Sequence, residues 1–147
     1  METTENINMD SAGSLTLATK GKRVGAYLID IILASIVGGI IGSFLGSQTM
    51  AGQGLSWLIS TIYMVLRDAL PFTDGMSIGK KVLKIRAVHE DGTHLTNDWA
   101  ASFTRNILFL IPGLGPLIEI IVFLVNAEGK RLGDGWAKTV VVDEPNA

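Results

Sequence analysis

The sequence predicts an α-helical integral membrane protein: an antiparallel transmembrane hairpin, a broken apolar segment and a small cytoplasmic two-stranded β pair. Three observations lead there. From Ile31 to Leu66 there is no Asp, Glu, Lys or Arg. A second apolar stretch, Asn106 to Ala127, carries Glu119 as its only charge. Two short runs rich in β-branched residues, near Val82–Val88 and at Thr139–Val142, flank that stretch in the chain. A soluble helix needs a polar face, and the first stretch lacks the charges to make one. Roughly 20 apolar residues cross a bilayer, so it has length for nearly two crossings.

The first span is expected over residues 24–45, after Lys20, Lys22 and Arg23. The second is expected over 50–69, closed by Arg67 and Asp68 and stopped by Pro71. The turn between them (Gly46, Ser47, Gln48, Thr49) is uncharged. Basic residues lie before the first span and after the second, which by the positive-inside rule places the N-terminus in the cytoplasm. Residues 1–19 are polar and small, too poor in apolar surface to offset ordering entropy. They are expected to form a disordered tail, with 143–147 as a short C-terminal one.

Residues 72–98 are soluble in character. Val82 to Arg86 alternates apolar and basic residues, a strand pattern that extends to Val88. Glu90-Asp91-Gly92 signals a turn, and Thr96 or Asn97 is suited to cap the next helix. The apolar segment over about 99–127 is interrupted by Pro112-Gly113-Leu114-Gly115-Pro116. Each half is too short to cross alone. A full third crossing would carry Lys130, Arg131 and Lys138 outside, against the positive-inside rule. The segment is therefore expected to re-enter, or to form two short helices at the inner interface. The last strand, 138–142, then stays in the cytoplasm and pairs with 82–88.

Composition excludes several functions. The net charge is −2, which argues against nucleic acid as a partner. There is no cysteine, hence no disulfide, thiolate metal site or cysteine nucleophile. Gly75 to Lys81 resembles a phosphate loop but is one residue short, and Lys81 stands where Ser or Thr would bind magnesium. His89 and His94 sit near Glu90 and Asp91 without a spacing that fixes four ligands. No cofactor, metal or enzymatic activity is expected.

Asp30 is the most informative residue. It lies seven positions into the first span, about 10 Å along the axis. A lone carboxylate at membrane depth costs on the order of 3 kcal/mol, so it needs a partner. Arg23 is two turns away, too far for direct contact. Arg105 and Arg131 are the candidate partners. Asp30 is either part of a structural pair or a proton or cation site. Glu119 follows the Pro-Gly break, where freed carbonyls suit a cation, or it pairs with Arg105 or faces water at the interface. Asp134 sits between glycines, as a turn or cap residue or as part of the same site. Ala34, Gly38, Gly42 and Gly46 recur every four residues and form a small-residue ridge for close helix packing, against the second span or against a second copy. Trp99 and Trp136 suit interfacial anchors.

Arg23-x-x-Ala26-x-x-x-Asp30 resembles the signature of the RDD family, small prokaryotic membrane proteins named for one arginine and two aspartates. Ser77 to Val88, closing on Asp91-Gly92, resembles the family's Gly-Lys-Arg strand and turn. Arg131 to Val142 resembles its C-terminal block, with Asp134 as the second aspartate, and Arg105-Asn106 also fits. Gly133 stands where the family often has His, and Ile78 where it often has Pro. The resemblance covers about residues 20–142. It implies two spans and a plasma (inner) membrane protein, and suggests transport, including cation/proton exchange. The function expected is carriage of ions or small solutes with Asp30 as the exchanging carboxylate, assisted by Arg23, Arg105, Glu119 and Asp134. The alternative is a non-catalytic membrane adaptor or assembly subunit. The partners expected are the lipid bilayer and either a second copy or another membrane protein, with both termini cytoplasmic.

Overall fold

The computed structural model describes residues 6–9, 12–46 and 48–144. Ser47 of the expected turn, and the outermost parts of both expected tails, lie outside the described residues. Helix α1 (Lys20–Phe44) has 25 residues, and the Thr19 hydroxyl caps it by accepting from the Lys22 amide at 3.3 Å. Its length is about 37 Å, beyond the roughly 30 Å of a hydrocarbon core. Among the described residues it is the one straight helix long and apolar enough to cross a membrane alone. Helix α2 (Met50–Leu66) has 17 residues and is capped by Thr49.

Every fourth residue on one face of α1 is buried: Ala26, Asp30, Ala34, Gly38 and Gly42. The Ser56 hydroxyl donates to the Gly38 carbonyl at 2.6 Å, and Ser60 donates to that of Ala34 at 3.1 Å. Rising numbers on α2 thus meet falling numbers on α1, so the helices run antiparallel. The ridge is taken up within the chain, by α2. Gly46 does not belong to it: α1 stops at Phe44, and Gly46 lies in the turn with φ of 83°. On the opposite side of α1, Leu28, Ile32, Ile36 and Ile40 are exposed.

Helix α2 ends at Leu66, three residues before the expected limit, because Arg67 and Asp68 turn inward and are buried. A 3-10 turn at Pro71–Thr73 follows. The expected strand start at Val82 is also corrected. Ile78–Val82 is a short helix, α3, capped by Ser77, and Lys84 then takes φ of 54° to begin strand β3 (Ile85–His89). Alternation at 82–84 reflected a helix end and a turn. Helix α3 lies against α1 so closely that a methyl group on Gly79 would overlap the Ala26 carbonyl.

Strand β3 pairs antiparallel with β4 (Thr139–Asp143), in a register that sets Ala87 opposite Val141. Both faces of this pair are covered. Ile85, Ala87 and Val141 pack with Ala18, Ala26, Leu95 and Ala101. Val88, Val140 and Val142 pack with Leu15 and Leu17. That second face explains a departure from the expected disordered tail. Residues Asn6–Met9 and Ala12–Thr16 form an antiparallel hairpin, β1 and β2. Leu17 extends it to Val142, and the apolar face of β4 gives the segment something to bury. Asp143 belongs to β4 and not to a tail.

Helix α4 (Trp99–Asn106) is capped by Asp98, which accepts from the Ala101 amide at 3.0 Å. The expected caps are displaced because Asn97 is left-handed, φ 62°, and its amide donates to the Ala69 carbonyl. The helix tightens into a 3-10 turn (Ile107–Leu110) and breaks. Helix α5 (Leu114–Val125) then leaves at a bend of 111°. Helix α6 (Leu132–Trp136) leads into β4. Replacing Gly79 with Ala should push α3 off α1 and cost about 1–3 kcal/mol, as overpacking does. Gly54→Ala, where no atom lies within 4 Å, is the control. Denaturant midpoints of the two variants in detergent check this, and equal midpoints would sink it.

Candidate functional site

The elements meet where α1 begins and α2 ends, and buried charge concentrates there. Asp30 is fully buried on the α2-facing side of α1. Its Oδ2 accepts from Arg67 Nη1 at 2.8 Å. Its Oδ1 accepts from the Gly79 amide at 2.8 Å and from the Tyr63 hydroxyl at 3.2 Å. One carboxylate thus fastens α1, α2 and α3 together. The Arg67 guanidinium also lies 5.7 Å from the Tyr27 ring and 5.8 Å from the Phe109 ring, an arrangement favourable for a cation over aromatic faces. Neither expected partner, Arg105 or Arg131, binds Asp30. The antiparallel register that sets Ser56 against Gly38 and Ser60 against Ala34 brings the end of α2 beside Asp30, and the long Arg67 side chain, about one turn past the facing position, reaches it.

A second cluster lies deeper in the fold. Asp68 pairs with Lys80 Nζ, lies 3.4 Å from Arg105 Nε and accepts from Asn106 Nδ2 at 3.3 Å. Asp134 accepts from Arg105 Nη2 at 2.7 Å and from Arg131 Nη2 at 3.1 Å. Arg105 therefore stands between two aspartates, fully buried. Close approach of α6 makes this geometry: a methyl group on Gly133 would overlap the Arg105 carbonyl. That explains glycine at the position before Asp134. Burial alone would raise the Asp68 carboxyl, but Lys80 and Arg105 outweigh it and hold it well below its usual range. Burial opposes Arg131 and Arg105 in the same way at Asp134, and the arginines prevail. Both aspartates are thus held toward the carboxylate form by their cationic neighbours, which suits them poorly to carry protons.

Arg23 binds main chain, not carboxylate. Its Nη1 donates to the Gly129 carbonyl at 2.8 Å and its Nη2 to that of Val141 at 2.9 Å. Glu119, on α5, is 2 % exposed. Its Oε1 accepts from the Gly133 amide at 3.2 Å, and its Oε2 has no hydrogen-bond partner among the described residues. His89 and His94 go separate ways, to Asp98 and to Arg86.

These groups surround a cavity of about 330 Å³ between α1 and α5. Five cationic side chains line it: Arg23, Arg67, Lys80, Arg105 and Arg131. Three carboxylates do so: Asp30, Glu119 and Asp134. Asp68, behind Lys80, brings the balance to five against four. The hydrogen-bonding account is also unequal. Arg105 Nη1 and the Nε atoms of Arg23 and Arg67 have no hydrogen-bond acceptor among the described residues. The signature residues Arg23, Asp30 and Asp134 all border one cavity, with Arg105 and Glu119. Ala34, Gly38 and Gly42 lie farther along α1, at the α2 contact. Arg67, Asp68, Lys80 and Asn106 were not singled out as site residues. The signal for Arg67 is that it is the first charge after the second apolar helix, and Asn106 is marked through the resemblance at Arg105-Asn106.

The fold and site define a small, mostly helical membrane protein with a buried charge network at one end of its long apolar helix. The chain belongs to the RDD family, whose model matches residues 17–138. Neither curated proteins nor solved structures give a match.

Removing one member of a buried ion pair costs about 3–5 kcal/mol, because the other charge is stranded. Asp30→Asn should destabilise the protein by that order. Adding Arg67→Met should restore much of the loss. Chemical denaturation of the single and double variants in detergent checks this coupling. A single variant as stable as the parent would show that Asp30 is not a clasp.

Proposed function

We propose that this protein is a two-span plasma-membrane protein whose cavity takes up an anionic solute at the cytoplasmic side of the bilayer, as part of its transport. The fully buried Arg105, with Nη1 unpartnered beside a cavity whose charged lining is mostly cationic, carries the reading. A buried guanidinium donor without an acceptor is costly, and an anion supplies the acceptor. Both ends of the hairpin that carry charge lie beside the β3–β4 sheet, while the turn around Gly46 carries none. The positive-inside rule then puts that sheet, both termini and the cavity mouth on the cytoplasmic side. The 111° bend suits a segment that enters and returns.

Carriage of a cation or proton by Asp30 has less support, since both oxygens of Asp30 are engaged. Within that reading, Glu119 is the stronger carboxylate, because it lines the cavity and its Oε2 is unpartnered among the described residues. The adaptor reading draws on the glycine ridge, which α2 already occupies. A homo-oligomer would have to use the outward face of α1 instead. We read the chain as a carrier or binder.

Two measurements test this. A phosphatase fused to the C-terminus, active only outside the cytoplasm, should be inactive in cells. Activity would reverse the topology. Calorimetric titration of the detergent-solubilised protein with inorganic phosphate should show one saturable site, and a parallel titration with sodium or potassium should show none. Vesicles loaded with a pH-sensitive dye should not respond to sodium or potassium pulses. A response lost in Glu119→Gln would overturn the anion reading in favour of proton exchange.

A further inference from the structure

We propose that the anion this cavity takes is the phosphate headgroup of a membrane amphiphile, which enters sideways from the lipid between α1 and α5. The inference rests on the anion-binding reading above and names the class of ligand.

The cavity has two unlike parts. Its inner wall carries the guanidinium groups whose Nε and Nη1 atoms lack acceptors, on Arg23, Arg67 and Arg105. Arg67 and Arg105 are buried to within 2 % of completeness, so these donors are shut off from bulk water beside the cavity that their side chains line. A planar guanidinium presents forked donors that match the oxygens of a phosphate.

Its outer rim is apolar and exposed. Val24 and Leu28 on α1, with Ile120 and Leu124 on α5, both border the cavity and show 43–62 % of their surface. Residues exposed in this way on a membrane helix meet acyl chains, not water. A water-soluble anion has no reason to use such an entrance. An amphiphile does, since its chain stays against the rim while its headgroup reaches the arginines. Lys20 stands at one edge of the opening, where Nζ donates to the Leu124 carbonyl at 3.3 Å and lies 5.9 Å from the Phe123 ring. It adds a positive charge at the lip. The volume of about 330 Å³ is near the lower end of small-ligand sites, roughly 300–1,000 Å³. It accommodates a compact headgroup and excludes a whole lipid.

The experiment is native mass spectrometry of the full chain released from mixed micelles holding equal amounts of phosphatidic acid and phosphatidylcholine. One phosphatidic acid per chain should be retained, in preference to phosphatidylcholine by about tenfold or more, the scale of one charge-assisted hydrogen bond. Ile120→Trp narrows the entrance from α5, and Leu28→Trp narrows it from α1. Both change half-exposed residues of the rim, and both should abolish the preference while leaving the melting temperature in detergent unchanged. Inorganic phosphate is titrated in parallel. If it binds but no phosphatidic acid preference is found, the amphiphile inference fails and the anion reading stands. If neither binds, both fail. If phosphatidic acid is retained equally by both tryptophan variants, it is held at the basic surface and the inference is overturned.

Discussion

A carboxylate carried into a membrane helix must be neutralised by the protein, and the Asp30–Arg67 pair is how this chain does it. The pair fixes more than a charge. Asp30 also binds the Gly79 amide and the Tyr63 hydroxyl, so α1, α2 and α3 share one anchoring group. The register of the hairpin, the approach of Gly79 to the Ala26 carbonyl, and the place where the chain leaves α2 all follow from that bond set. Asp30 is therefore better understood as a joint than as a carrier.

The second network has a different character. Asp68, Lys80, Arg105, Asn106, Arg131 and Asp134 come from four separate places in the chain and touch in one buried cluster. Such clusters are expensive to desolvate and are weak evidence of stabilisation in themselves. Here the cluster leaves Arg105 Nη1 without a hydrogen-bond acceptor among the described residues.

Much of the order of helices and strands was legible because its causes are local. A run without charge, a Pro-Gly break and a β-branched terminus each follow from short-range rules, and α1, the bend before α5 and the β3–β4 pair answer to them. The misread parts depend on distant contacts. Val82 to Lys84 looks like a strand until α1 is present to receive Gly79. The N-terminal segment lacks any reason to order until Val88, Val140 and Val142 offer a face. The signature residues were legible as a set, but their bonding was not. Arg23 serves main-chain carbonyls, and Asp30 is matched by Arg67, the first charge after the second apolar helix.

Arg105 has a consequence for the order in which the protein is made. It is translated long before Asp134, the carboxylate that binds its Nη2 at 2.7 Å. Arg23 likewise waits for the carbonyls of Gly129 and Val141. Until Asp134 is made, Arg105 lacks that carboxylate, and until Val141 is made Arg23 lacks one of its two carbonyls. The end of the chain therefore completes bonds that its beginning and middle leave open.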